Sequence, residues 1–322
     1  MKRIGILTSG GDAPGMNACI RASVRAALAK DIEILGIREG FAGLMSGDIV
    51  PLDRAAIRNI IHLGGTMLGT SRPEEFKTIE GRAKAIGVLA DKGIEGLILI
   101  GGDGTFQGAS LLSNGGNIKI VGVPGTIDND CYGTDYTIGF DTAVNTALEA
   151  IDRIRDTADA HQRLFFIEVM GRHSGFIALK SGIASGAEEI IIPEAPMSPE
   201  ELCRHITGYF GKGKRSIIIV VAEQGHAGTT LELARQVKCS IGFDARVCIL
   251  GHIQRGGPPT ARDRVLASRL GIAAVQALLN GKDGHMVGEV NGEVAYTPLE
   301  DTWNKTKKLD PNLTEMLEIL TD

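Results

Sequence analysis

Seven short apolar runs punctuate the chain: residues 4–8, 96–100, 118–123, 164–170, 190–193, 216–222 and 247–250. They are rich in Ile and Val and lack polar alternation, the pattern of strands buried on both faces of a parallel sheet. Helix-like segments lie between them, including residues 16–28, 143–155 and 264–279. Strand and helix in alternation predict an α/β layered fold. Nearly every predicted strand runs straight into glycines and polar residues: Ser9 to Asp12 (SGGD), Gly101 to Thr105 (GGDGT), Gly125 to Asp130 (GTIDND), Gly171 to His173 (GRH), and Glu223. Ligands of an open α/β sheet lie beyond the carboxyl ends of its strands, so this placement points to one shared cleft.

The chain has 322 residues, 43% of them hydrophobic, enough for a large core and for two domains, with a candidate boundary near residues 139–141. A net charge of -5 argues against nucleic-acid binding, which needs a broad basic surface. The N-terminus, MKRIGILTSGGD, carries only a short apolar run and reads as a first strand rather than a signal peptide. No run approaches the roughly 20 residues that span a bilayer, so a soluble cytoplasmic protein without a membrane partner is expected. The five cysteines show neither CxxC nor His/Cys metal spacing, so neither a zinc site nor a disulfide framework is indicated and most should be small core residues. Cys131, directly after an acidic motif, is the candidate reactive thiol. The more polar tail after residue 294 carries the only Trp, Trp303, and lysines at 305, 307 and 308.

Gly10, Gly11 and Gly15 flank the entry to the first predicted helix, where a chain without Cβ atoms can wrap a phosphate with backbone N–H groups. The same residues suit a tight turn with Asp12 as helix cap. In the second loop Asp103 adds a carboxylate beside the glycines, which suits Mg2+ or its waters, or a cap for a helix starting near Gln107. The third loop places Asp128 and Asp130 two residues apart, so that like-charge coupling can tune one of them as a base. Phosphoryl transfer also needs cations, and Arg72 and Arg172 are available, though either alone suits a solvated surface. A second basic set, Arg163, Arg246, His252 and Arg255, fits a phosphomonoester or, equally, surface ion pairs. A third set comprises Arg21 and Arg25, one helical turn apart, with Arg54, Arg155, Lys212 and Lys214. By sequence alone these form a solvated face.

Taken together, LTSGGDAPGMN, IGGDGT, PGTIDND, GTDYTIGFDTA, IRDTA, HQR, EVMGR, AEQG and LGHIQRGG occur in the order and approximate spacing of the bacterial ATP-dependent 6-phosphofructokinase family. The chain resembles that family from Met1 to about Gly288. The resemblance implies two Rossmann-like three-layer domains, each a mostly parallel sheet between helices, in a homotetramer. The expected division is a nucleotide-binding domain of residues 1–139 plus about 254–304, and a fructose 6-phosphate-binding domain of residues 140–253 plus about 305–322.

By matching motif, Asp128 looks like the base that takes the sugar 1-hydroxyl proton, with Thr126 and Asp130 beside it. Arg72 and Arg172 would steady the transferring phosphoryl, and Asp103 would sit by Mg2+. ATP would be held by Gly11, Arg72, Gly102, Asp103, Gly104, Thr105 and Gly108. Fructose 6-phosphate would be held by Met170, Gly171, Arg172, Glu223, His252 and Arg255, with Arg163 and Arg246 reaching in from a neighbouring subunit. The third basic set matches the family's effector site, where Arg21, Arg25 and Arg54 of one subunit meet Arg155, Glu188, Lys212 and Lys214 of another to bind ADP or phosphoenolpyruvate. Pyrophosphate-dependent relatives carry an Asp after GGD and a Lys in place of the Gly of PGT. Gly104 and Gly125 here are therefore expected to leave room for ATP. Departures from the pattern include Pro73 near the expected adenine pocket, Phe176 for an Asp, Ser216 for a His, and Asp159 with Ala160 for two serines.

Overall fold

The structure, a computed structural model, describes residues 1–116, 118–161, 163–171, 173–223 and 228–321. The elements run β1 (Arg3–Thr8), α1 (Met16–Leu28), β2 (Glu33–Ile37), α2 (Gly40–Ser46), β3 (Ile49–Pro51), α3 (Ile79–Asp91), β4 (Gly96–Gly101), α4 (Asp103–Gly115) and β5 (Lys119–Pro124). There follow α5 (Phe140–His161), β6 (Leu164–Val169), α6 (Phe176–Ser185), β7 (Glu189–Ile191), α7 (Pro199–Gly211), β8 (Ile217–Ala222), α8 (Thr229–Ile241) and β9 (Ala245–Ile249). The chain ends with α9 (Ala261–Leu279), β10 (His285–Val290), β11 (Glu293–Pro298), α10 (Leu299–Asn304) and α11 (Pro311–Thr321).

Two compact units emerge, one of Met1–Thr142 with Arg255–Lys307, the other of Ala143–Gln254 with the segment from Lys308. The first holds a seven-stranded sheet ordered β11-β10-β5-β4-β1-β2-β3, parallel except at its two outermost pairings. The second holds a wholly parallel sheet ordered β7-β8-β6-β9. The α/β fold read from the apolar runs is present in both.

Helices cover both faces of the first sheet. α1 packs on α9, while α3 packs on α2 and on α4, and α4 on α10. Leu7, Leu97, Leu99, Ile120 and Phe106 form the core on the α4 side, joined by Trp303 from α10. The β4 strand GLILIG is buried at every position, which is why it reads as a continuous apolar run. The chain goes from β1 to β2 on one side and reaches β4 on the other, so the strand order reverses between β1 and β4. That reversal opens the crevice where an α/β sheet binds its ligand.

Two local expectations change. The cap of α1 is Gly15, in the left-handed region at φ 109°, so Asp12 lies outside the helix and is not its cap. The helix after GGDGT starts at Asp103 rather than near Gln107, so Asp103 is its first residue and not a cap before it. Among the described residues, no helix is long and apolar enough to cross a membrane.

Candidate active site

In the first unit, four turns meet at the carboxyl ends of β1, β4 and β5. The Ser9 N–H donates to the Ile100 carbonyl (3.1 Å) and the Gly125 N–H to the Gly101 carbonyl (2.9 Å), carrying the ladder past the strand ends. The Thr105 hydroxyl donates to the Ser9 carbonyl (3.1 Å) and the Thr70 hydroxyl to the Gly10 carbonyl (2.8 Å). Residues 9–12, 69–72, 101–105 and 125–130 therefore share one edge. Arg255 joins them, its guanidinium donating to the Asp12 carbonyl (3.2 Å) and lying where a Cβ on Gly11 would collide with it. Arg72 is exposed at the rim.

The glycines differ in what surrounds them. A Cβ at Gly104 would meet open space, whereas one at Gly125 would press on Ile100 Cγ2 (2.8 Å) and Met16 Cε (3.0 Å). Only Gly104 thus faces a free volume; Gly125 faces packed side chains. Gly102 abuts Thr126, and Gly108 backs onto the stacked pair Phe41 and Phe76, whose ring centroids lie 3.9 Å apart.

The acidic loop is rigidly built. Asn129 adopts a left-handed backbone (φ 56°), is 4% exposed, and uses its side chain as a brace. Its Oδ1 accepts from the Thr137 N–H (2.9 Å) and its Nδ2 donates to the Asp135 carbonyl (3.2 Å). The Thr137 hydroxyl donates to the Thr126 carbonyl (2.6 Å), and the Asp128 N–H donates to the Thr126 hydroxyl (3.3 Å). Asp128 and Asp130, on either side of Asn129, are both half-buried.

Burial first, then the nearby Asp130 carboxylate, pushes the Asp103 carboxyl up to about 6. Its Oδ1 is buried without a hydrogen-bond partner, while the Cys131 thiol bonds to the same carboxyl. Cys131 is fully buried and its thiol is pushed well above the ordinary range by burial, then by Asp103 and Asp130. That environment keeps it a neutral thiol, so the suggested reactive thiolate is not supported. Cys19 and Cys203 are likewise buried, so most of the cysteines are core residues; Cys239 is exposed and Cys248 partly so.

In the second unit the carboxyl ends of β6, β8 and β9 form another edge. The Glu223 N–H donates to Val169 O (2.8 Å) and the Leu250 N–H to Glu168 O (3.0 Å). Gln254, fully buried, accepts from the Met170 N–H (3.3 Å) and donates to Gly251 O (3.1 Å), tying the His252 turn to the end of β6. Met170, Gly171, Glu223 and the exposed His252 are thereby gathered. Arg172 lies outside the described residues. Arg163 and Arg246 both flank Asp244, and Arg246 pairs with it at 3.1 Å. A hydrogen bond from Lys238, then Arg246 and lastly Arg163, hold the Asp244 carboxyl below its ordinary value.

Against this geometry, the family model "Phosphofructokinase" matches residues 3–278. The chain belongs to the phosphofructokinase family. It is 58% identical over 320 residues to a Thermus thermophilus protein named ATP-dependent 6-phosphofructokinase 1, covering 99% of each. It is 50% identical over 321 residues to the Bacillus subtilis ATP-dependent 6-phosphofructokinase, covering all of both. The phosphofructokinase of Saccharomyces cerevisiae superposes with a TM-score of 0.89 at 34% identity over the whole chain, which spans about half (48%) of the yeast chain. A pyrophosphate-dependent phosphofructokinase from Marinobacter aquaeolei, 24% identical with a TM-score of 0.85, shares the fold. As a phosphofructokinase, the chain is an enzyme of the transferase class.

The third basic set divides between the two units of this phosphofructokinase. Arg155, Glu188 and Lys214 converge in the second: Glu188 is buried, with Arg155 at 3.8 Å and Lys214 at 3.5 Å. Glu188 Oε2 also accepts from the Ile218 N–H (2.8 Å), and Arg155 donates to the Ser185 and Gly186 carbonyls at the end of α6. Ser216, which replaces a His of the family pattern, bonds instead to Asp159. Lys212 is exposed near this group, and Arg21, Arg25 and Arg54 lie at the surface of the first unit, Arg21 partly covered. Asn129, Gln254 and the Phe41–Phe76 pair were not singled out by motif reasoning, since each acts by bracing or packing. A polar amide inside an acidic motif, or in a turn beside arginines, was the available signal.

Proposed function

We propose that this phosphofructokinase transfers the γ-phosphoryl of ATP to the 1-hydroxyl of fructose 6-phosphate, giving fructose 1,6-bisphosphate and ADP. The observation that carries the reading is Asp128, half-buried beside the braced Asn129, on the same sheet edge as the glycine turns at Gly11 and Gly102. Full-length identity to relatives named ATP-dependent 6-phosphofructokinase supports the same donor and acceptor.

In this reading Asp128 accepts the hydroxyl proton, with Thr126 and Asp130 beside it. Gly11, Gly102, Asp103, Gly104, Thr105 and Gly108 hold ATP in the first unit, the nucleotide-binding domain. Arg72 and Arg172 steady the phosphoryl group. Fructose 6-phosphate is held in the second unit by Met170, Gly171, Glu223 and His252, with Arg172, and by Arg255; Arg163 and Arg246 serve a neighbouring subunit of a homotetramer. Among the described residues no three His, Cys, Asp or Glu converge on one metal position. Asp103 still fits Mg2+ carried in with the nucleotide, because its buried Oδ1 lacks a partner beside a second acid, Asp130. Bound there, Mg2+ would neutralise phosphate charge that grows during transfer.

The open space beside Gly104 favours ATP over pyrophosphate as donor. Assaying both donors with fructose 6-phosphate tests this: turnover with ATP should dominate, and equal or better turnover with pyrophosphate would overturn the reading. An enzyme inactive with either donor would instead be a nucleotide sensor. The effector set, with Arg21, Arg25 and Arg54 of one subunit meeting Arg155, Glu188, Lys212 and Lys214 of another, is proposed to bind ADP as activator and phosphoenolpyruvate as inhibitor. Replacing Arg21 and Arg25 together by Ala is expected to abolish phosphoenolpyruvate inhibition in rate-versus-substrate curves. Inhibition that survives would make them ordinary surface residues.

A further inference from the structure

The lysines of the tail have no part in the proposed reaction, and they lie beyond the family match at residues 3–278. One of them reaches the acidic loop. The segment after Asp130 is tied from three sides, first by the Asn129 brace described above. Second, β10 and the turn after it hold it: the Asp135 N–H donates to Glu289 O (2.7 Å), the Glu289 N–H donates to the Thr134 hydroxyl (3.0 Å), and the Asn291 N–H donates to Asp135 Oδ2 (2.7 Å). Third, the tail holds it: Lys307 Nζ donates to the Asp135 carbonyl (3.0 Å), and the Lys305 ammonium stands 5.3 Å from the Tyr132 ring centroid.

Lys307 differs from the other ties in carrying charge into a partly buried acidic neighbourhood. Cys131, Asp135 and Asp130 all act on it electrostatically. Burial pushes its ammonium down to about 8, which leaves it charged at neutral pH. Asp103 and Asp130 repel one another in the same neighbourhood, and a fixed cation offsets that repulsion.

We infer that Lys307 is a positioning residue for the acidic loop: its charge, seated on the Asp135 carbonyl beside Asp130 and Cys131, holds residues 128–135 in the geometry that proton removal needs. The inference rests on the reading of Asp128 as the base. Lys307 touches no reacting atom and acts through the loop.

The test uses full-length enzyme carrying Lys307→Met, Lys307→Gln or Lys307→Arg. Met and Gln should lower kcat about 10- to 100-fold, the scale of a small misplacement of a reacting group. KM for both substrates should stay within about threefold, and Arg, which keeps the charge, should recover kcat to within about fivefold. Gln retains a donor for the Asp135 carbonyl without the charge, so parent-like kcat in that variant overturns the inference, as does a change confined to KM. A second readout needs no turnover. In a Cys239→Ser, Cys248→Ser background, alkylation of Cys131, located by peptide mass spectrometry, should run about tenfold faster or more in the Gln variant as the loop opens locally. Equal labelling rates overturn the inference. A parent enzyme inactive with ATP and fructose 6-phosphate would sink the functional reading alone, and the labelling result would still decide the role of Lys307 in the loop.

Discussion

Asp128→Ala is expected to lower kcat by about 10²–10⁴-fold while KM for fructose 6-phosphate and ATP stays within a few-fold. The asymmetry follows from what the residue touches. Its backbone N–H is held by Thr126, and the next residue, Asn129, is braced against Thr137 and Asp135. Removing the carboxylate takes away the proposed proton acceptor while the Thr126 and Asn129 ties remain. Steady-state kinetics decide it, and turnover near the parent value would remove Asp128 from the role of base.

Asp103→Asn is expected to act in opposite directions on activity and on stability. Loss of the carboxylate that would neighbour the metal should lower kcat/KM for ATP by about 10²-fold or more. The unliganded protein should nevertheless become more stable at neutral pH. The folded value of Asp103, about 6, lies above its ordinary value of 3.8, so the folded state holds the proton more tightly than the unfolded one. That contribution to stability is present at low pH and is lost as pH rises through 6, leaving a buried, repelled carboxylate at pH 7. Replacing it by Asn should gain about 1 kcal/mol once solvent screening of this half-buried group is allowed for. Melting curves of the two proteins should diverge at pH 7.5 and draw together toward pH 5. A gap that does not change with pH would disprove the account.

How much was legible in the sequence follows from which forces leave a local mark. The inner strands β4, β5 and β8 are buried on both faces and announce themselves as near-continuous apolar runs, and β6 does so except at the half-buried Phe165 and Glu168. The outer strands β2, β3, β10 and β11 did not: β3 is three residues ending in Pro51, and β11 is partly exposed, so neither carries such a run. The start of α4 was misplaced because Gly102, Asp103 and Gly104 have loop-like propensities, while the Thr105 hydroxyl on Ser9 anchors the first turn from another strand. In the candidate site, the acids and glycines were visible because their chemistry is unusual at strand ends. The side of Gly125 that faces Ile100 and Met16 was not visible, because only packing defines it. The contact made by Lys307 was invisible for a related reason, since its partner Asp135 lies 172 positions away.

That separation bears on the order in which the molecule can be made. The ties on Thr134 and Asp135 come from Glu289, Asn291 and Lys307, across 155, 156 and 172 positions. Closing loops of that size carries an entropic penalty that only long-range docking repays, and such contacts form late and slowly. During synthesis, β1, β4 and β5 can pair long before the ribosome has released residues 285–307. A nascent chain therefore has its parallel sheet well before the last clasp on Thr134 and Asp135 exists, and the loop that carries Asp128 can settle only after residues 285–307 have emerged.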